Sequence, residues 1–207
     1  SVGDSVLLVL KRPEVLRSLS DIFCRDTSSI CCDQAAAAPQ RITFASGSLL
    51  NEGVLALIYN VLVSTSAGDD RVGYIKQLET VGCFDHALRL LRALRSSGVL
   101  GNSEAVQDVL AVVARLVGVL GKCLSVFPPL LCKVAEDDVV MASLWDTMFL
   151  AQSFGLVSCA SSPLPNVKQG GGGAEGETTL RYVHQCIEHA TLCLAVLYTS
   201  SAANDDG

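Results

Sequence analysis

Apolar residues recur every three to four positions through most of this chain and strict alternation is rare, so the pattern predicts helices rather than strands. "PEVLRSLSDIF" (13–23) opens on Pro13, tolerated in a first helical turn, and sets Val15, Leu16, Leu19, Ile22 and Phe23 along one face. "NEGVLALIYNVLV" (51–63) is apolar around most of its circumference, which predicts a helix with neighbours on several sides. Asp69 or Asp70 is placed to cap the next helix, "RVGYIKQL" (71–78), by accepting a hydrogen bond from an unpaired backbone N–H. Gly82 separates that helix from one over 83–97, which turns Phe84, Leu88 and Leu91 inward. Further helices are predicted over 103–121, 129–135, 138–153 and 179–200, with Val140, Leu144 and Met148 as the core face of the third of these. Only "SVLLVL" (5–10) fits a strand, and it is too isolated to found a sheet. Segments 27–40 and 161–179 are rich in small and turn-forming residues and read as flexible insertions. The glycines at 170–173 lack the preceding strand and the Lys-Ser/Thr that a phosphate loop needs.

The long apolar helix is written more than once. "EGVLALIYNVLVSTSAGDD" (52–70) and "EHATLCLAVLYTSSAANDD" (188–206) share an acidic start, an apolar helix, a small polar tail and paired aspartates. "EAVQDVLAVVARLVGVLGK" (104–122) repeats the helix without the acidic tail. A short helix, a break and a further helix follow the first copy. The copy at 104–122 is likewise followed by a proline-led helix, the acids Glu136, Asp137 and Asp138, and another helix. Self-similarity of this length is the signature of stacked repeats that bury their faces against their neighbours.

In element order the chain resembles an armadillo repeat, on the strength of "LALIYNVL" (55–62), Arg71 with Ile75, Gly82 and "ALRLLRAL" (87–94). One unit matches well, a second loosely and a third only at its start. The resemblance implies an all-α, right-handed α-solenoid: a single domain over 1–207, part of a longer array, with 27–40 and 161–179 as insertions. It also implies that the outer face of helix 83–97 lines a concave groove for extended protein partners. Asp85, Arg89 and Arg92 lie opposite Phe84, Leu88 and Leu91 and are the candidate contacts, Asp85 and Arg89 in the favourable i, i+4 order. Trp145 and Phe149, at the edge of the next apolar sector, are candidate anchors. Importin-type members line their groove with recurring Trp and Asn. This chain has one tryptophan and no asparagine beside it, so nuclear-signal binding is not implied.

Composition sharpens this picture. Half of the chain (50%) is hydrophobic and 17% charged, which predicts burial against further protein. The most apolar window, 109–127, is interrupted by Arg115 and Lys122 and meets Pro128 and Pro129, unlike a bilayer span of about 20 apolar residues. Ser1, with no initiator methionine or signal sequence, reads as a fragment boundary. The net charge of −6 argues against nucleic acid as a partner. The nine cysteines are odd in number and sit mostly in apolar runs, which predicts free thiols in a reducing compartment, cytoplasm or nucleus.

Two cysteine features carry possible chemistry. Cys186, His189 and Cys193 share a helical face and could, with a further cysteine, hold zinc or serve a redox-dependent regulatory domain. The same face is an ordinary apolar stripe through Val183, Ala190 and Leu197, and no CxxC pair is present. Cys31 and Cys32 read as loop thiols too close to pair easily with each other, for which a lack of any role is preferred over oxidation sensitivity. None of His86, His184 and His189 stands in a nucleophile motif. The expectation is therefore a non-catalytic scaffold within a larger intracellular assembly, without cofactor or small-molecule substrate. Its partners would be other proteins or further repeats of the parent chain. The zinc or redox domain is the alternative.

Overall fold

The helical periodicity is realised along the whole described chain. A computed structural model describes residues 8–32, 47–65, 68–101, 109–150 and 173–205. In order, the helices are α1 (Pro13–Cys32), α2 (Gly47–Ser64), α3 (Asp69–Thr80), α4 (Cys83–Ser96), a 3-10 turn (Val99–Gly101), α5 (Leu110–Leu124), α6 (Pro128–Ala135), α7 (Asp138–Met148) and α8 (Gly173–Asp205). No strand occurs among the described residues, and 8–10, from the segment that fitted a strand, is helical. α1 extends to Cys32 and α8 begins at Gly173, so both helices run into the expected insertions. No proline interrupts 27–32 or 173–179, and a nucleated helix gains a hydrogen bond with each residue added. Residues 33–40 and 161–172 of those insertions, the first residues of helix 103–121 and the last of helix 138–153 lie outside the described residues.

Local chemistry sets the boundaries. Gly82 adopts φ 75°, and its N–H donates to Glu79 O at 2.9 Å, closing α3 and turning the chain into α4. Pro128 and Pro129 open α6, where their missing N–H groups cost nothing. Asp137 caps α7 by accepting from Val139 N at 3.1 Å and Val140 N at 3.0 Å. The expected aspartate cap on α3 is absent: Gly68, at φ 128°, holds that position without a side-chain hydrogen bond. Asp69 and Asp70 sit instead within the first turn, where their charge complements the helix dipole. Arg71 closes the preceding turn by donating from Nη2 to Thr65 O at 2.8 Å, just past the end of α2.

The helices pack in two rows. α2, α5 and α8 lie side by side with α5 in the middle, and α1, α4 and α7 form the other row around α4. α1 closes against α2 and α7 against α8, while α6 touches both α5 and α7. The near-continuous apolar run of α5 follows from its place: Val113, Leu116, Val117 and Leu120 are fully buried. The expected inward residues Phe84, Leu88, Leu91, Val140 and Leu144 are buried, and Met148 is half-buried against the core. Each such leucine contributes about 1.5–3 kcal/mol by leaving water. No helix among the described residues is long and apolar enough to cross a membrane.

Candidate functional site

Three groups of residues singled out by the sequence can be placed. The first is the charged face of α4, where Asp85, Arg89 and Arg92 are exposed. This face is tied to its neighbours. Arg92 Nε donates to Asp137 Oδ2 at 2.7 Å, and its Nη2 bonds the same oxygen. Lys133 Nζ meets Asp85 Oδ1 at 3.2 Å, and Arg95 Nε meets Asp146 Oδ2 at 3.0 Å. The i, i+4 partnership expected of Asp85 and Arg89 is therefore replaced. The Asp85 carboxylate pairs across to α6, while Arg89 Nε reaches the Asp85 backbone carbonyl at 3.4 Å and Nη2 bonds His86 Nδ1. Burial and the Arg89 charge depress the His86 pKa, with Asp85 and Asp21 opposing.

Most of these pairs are exposed, and such pairs contribute about 0–1 kcal/mol each. Asp137 differs, because its side chain is only 14% exposed and also caps α7. Burial alone would raise its pKa. The Arg92 hydrogen bond and charge, with the Val140 and Val139 N–H groups, outweigh burial and hold the carboxyl below its usual 3.8.

The second group is an aromatic corner. Trp145, half-buried at the core margin, stacks on Phe149 with centroids 6.0 Å apart and planes 18° off parallel. Tyr198 of α8 meets Trp145 edge-on at 6.3 Å. Phe149 is 46% and Tyr198 53% exposed. The apolar pattern of α7 identifies Trp145 and Phe149. Tyr198 comes from a distant helix, and no local sequence signal joins it to them.

The third group is the Cys186, His189 and Cys193 face, which meets α5. Cys186 Sγ donates to Leu110 O at 3.7 Å, His189 Nδ1 to Ala114 O at 3.2 Å and Cys193 Sγ to Val117 O at 3.6 Å. Each takes a separate carbonyl, one helical step after another, so the three side chains do not converge and α5 and α8 run parallel. Burial pushes the Cys186 and Cys193 thiols up to about 12, far from the thiolate form that metal binding and oxidation require. Cys83 is likewise raised to about 12 and Cys123 is raised by burial, whereas Cys132 is exposed. Among the described residues no three His, Cys, Asp or Glu side chains are grouped to hold a metal ion. Cys31 and Cys32, expected in a loop, belong to the last turn of α1, and their side chains lie outside the described residues.

Glycines let α8 come this close. A Cβ at Gly118 would stand 2.8 Å from His189 Nδ1 and 3.0 Å from Tyr59 Cε2, and one at Gly121 would stand 3.4 Å from Cys193 Sγ. The Ala114 carbonyl requires a proton on Nδ1 of His189. Its Nε2 lies within reach of the Tyr59 hydroxyl, 3.5 Å away.

No protein-family model, no curated protein and no solved structure matches the chain.

Proposed function

We propose that the chain is a non-catalytic interaction scaffold, an armadillo-like right-handed α-solenoid segment of a larger intracellular assembly, and that the Trp145, Phe149 and Tyr198 corner anchors a partner protein. The two-row packing supports the solenoid half of this proposal. α4 and α7 follow α1, and α5 and α8 follow α2, each against the helix three places earlier in the chain. The aromatic corner carries the partner half. A tryptophan fixed against the core, with Phe149 stacked on it, Tyr198 edge-on to it and both of those residues about half exposed, is the type of rigid apolar anchor on which interface energy concentrates. The buried, separately bonded thiols offer the zinc or redox alternative no support.

The test is quantitative affinity capture with the wild-type chain, a Phe149→Ser/Tyr198→Ser variant and Arg89→Glu. Each aromatic pair on Trp145 contributes about 0.5–1.5 kcal/mol, so urea unfolding accompanies the capture, and a loss of binding by a variant that remains folded reports the surface. A stoichiometric protein partner that the double variant loses is the expected result. An unchanged set of captured proteins, or none with any variant, overturns the assignment of the corner. Loss with Arg89→Glu would extend the interface onto α4.

A further inference from the structure

The outward stripe of α5, Ala111, Arg115, Gly118 and Lys122, recurs at helical spacing and lies between α2 and α8. Two side-chain bridges cross it. Tyr59 and His189 meet over Gly118. The Tyr182 hydroxyl donates to Glu52 Oε1 at 3.2 Å, and these residues lie two helical turns earlier in α8 and α2. Because both bridges keep the same register, α2 and α8 are parallel to each other, as α5 and α8 are. The second bridge therefore crosses at the level of Ala111, which is again a small residue.

Arg115 is the residue between the crossings. Its guanidinium lies 5.8 Å over the Tyr59 ring. No hydrogen bond or ion pair to a described residue engages it, and its Nε is buried without a partner. Gln185 stands midway between Tyr182 and His189 on the same stripe of α8, and its Oε1 is also buried without a partner. A buried donor and a buried acceptor thus sit at one level on neighbouring helices without bonding each other, and folded chains rarely leave such atoms unsatisfied. Arg115 and Gln185 are each only half-buried, and among the described residues neither the Arg115 Nη groups nor Gln185 Nε2 has an acceptor. Glu52, at the far bridge, is occupied by Tyr182, while Lys122 and Arg181, the latter 5.4 Å over Tyr182, add positive charge to the stripe.

We propose that this compartment binds a carboxylate. The two Nη groups of Arg115 grip its oxygens as a fork, Gln185 Nε2 donates a third hydrogen bond, and Gln185 Oε1 turns onto Arg115 Nε to fix the guanidinium. A positive fork stacked on a tyrosine suits an acidic side chain or a chain-terminal carboxylate of a protein segment lying across the α2, α5 and α8 row. The site does not depend on the aromatic corner, and either can fail without the other.

The test is a titration followed by the Arg115 Nε–Hε and Gln185 side-chain amide NMR resonances, the former protected from exchange by burial. The probes are N-acetyl-glutamate N-methylamide for a side-chain carboxylate, N-acetyl-glycine for a terminal one, and N-acetyl-glutamine N-methylamide as the neutral control, all at constant ionic strength. Saturable shifts in the millimolar range with either acid, at least about tenfold weaker with the neutral probe, are expected, and the preferred acid identifies the source. Arg115→Lys keeps the charge but loses the fork and should weaken binding by at least about tenfold. The proposal is overturned by shifts that do not saturate, by shifts that chloride reproduces, or by carboxylate binding that Arg115→Lys leaves unchanged. The wild-type titration decides even where a variant folds poorly.

Discussion

Alanine at position 118 probes the parallel packing of α2, α5 and α8. Helix propensity alone would favour the substitution by about 0.8–1 kcal/mol, because glycine pays more backbone entropy than alanine. Packing opposes it. The new Cβ would lie 2.8 Å from His189 Nδ1, 2.9 Å from Cε1 and 3.0 Å from Tyr59 Cε2. The imidazole cannot retreat without releasing the Ala114 carbonyl, and Tyr59 is held by the same ring and by Arg115. Overpacking costs about 1–3 kcal/mol and the lost hydrogen bond about 1. After the propensity gain, Gly118→Ala should destabilise by about 1–3 kcal/mol. Gly53→Ala is the control: a Cβ there meets nothing within 4 Å, so propensity should stabilise by up to about 1 kcal/mol. Gly121→Ala, with its nearest neighbours at 3.4 Å, should fall between them. Urea unfolding with matched slopes measures all three, and adding His189→Ala to Gly118→Ala should recover part of the loss through a favourable coupling. If Gly118→Ala proves as stable as Gly53→Ala, the close contact between α5 and α8 described above is wrong.

Two further outcomes can be checked directly. Asp137→Asn retains a capping side chain but loses the charge that holds Arg92, and should cost about 1 kcal/mol near neutral pH, discounted for the exposure of Arg92. The folded pKa of Asp137 is depressed, so its contribution is complete above the unfolded value of about 3.9 and is lost as pH falls through the folded one. The gap between wild type and Asp137→Asn in urea unfolding should therefore close in acid, and a gap that persists there would contradict the pairing. Iodoacetamide applied to the native chain at neutral pH should modify Cys132 and spare Cys83, Cys123, Cys186 and Cys193, as read by peptide mass spectrometry. Equal labelling of all five would refute their burial.

The helices were legible in the sequence because each buries a stripe that repeats at the helical period, and the breaks at Gly82 and Pro128 carry their own backbone chemistry. Composition misled at the ends of α1 and α8. Small and polar residues mark an insertion on average, but nothing in 27–32 or 173–179 breaks a helix already begun. The site residues were legible by face and illegible by partner. Cys186, His189 and Cys193 do share a face, yet only the packed structure shows that each meets a different carbonyl of α5. Likewise, Gly118 is an unremarked residue of an apolar helix until Tyr59 and His189 close over it. Arg115 interrupted the apolar window as an argument against a membrane span, and its place between two bridges depends on three helices far apart in the chain.

The ion pairs across α4 change what its charged face can report. Asp85→Arg would set an arginine against Lys133, and Arg92→Glu would set a carboxylate against Asp137, so either reversal loosens the attachment of α6 and α7 before it touches a partner. Asp137 caps α7, and α7 carries Trp145. The Arg92–Asp137 pair therefore links the two candidate surfaces: the charged face of α4 fixes the start of the helix that presents the aromatic corner. Lost binding after reversal at Asp85 or Arg92 is then explained equally well by a displaced tryptophan or by a lost contact. Arg89 separates the two explanations, because its hydrogen bonds run to its own helix and reversing it leaves the ties to α6 and α7 in place.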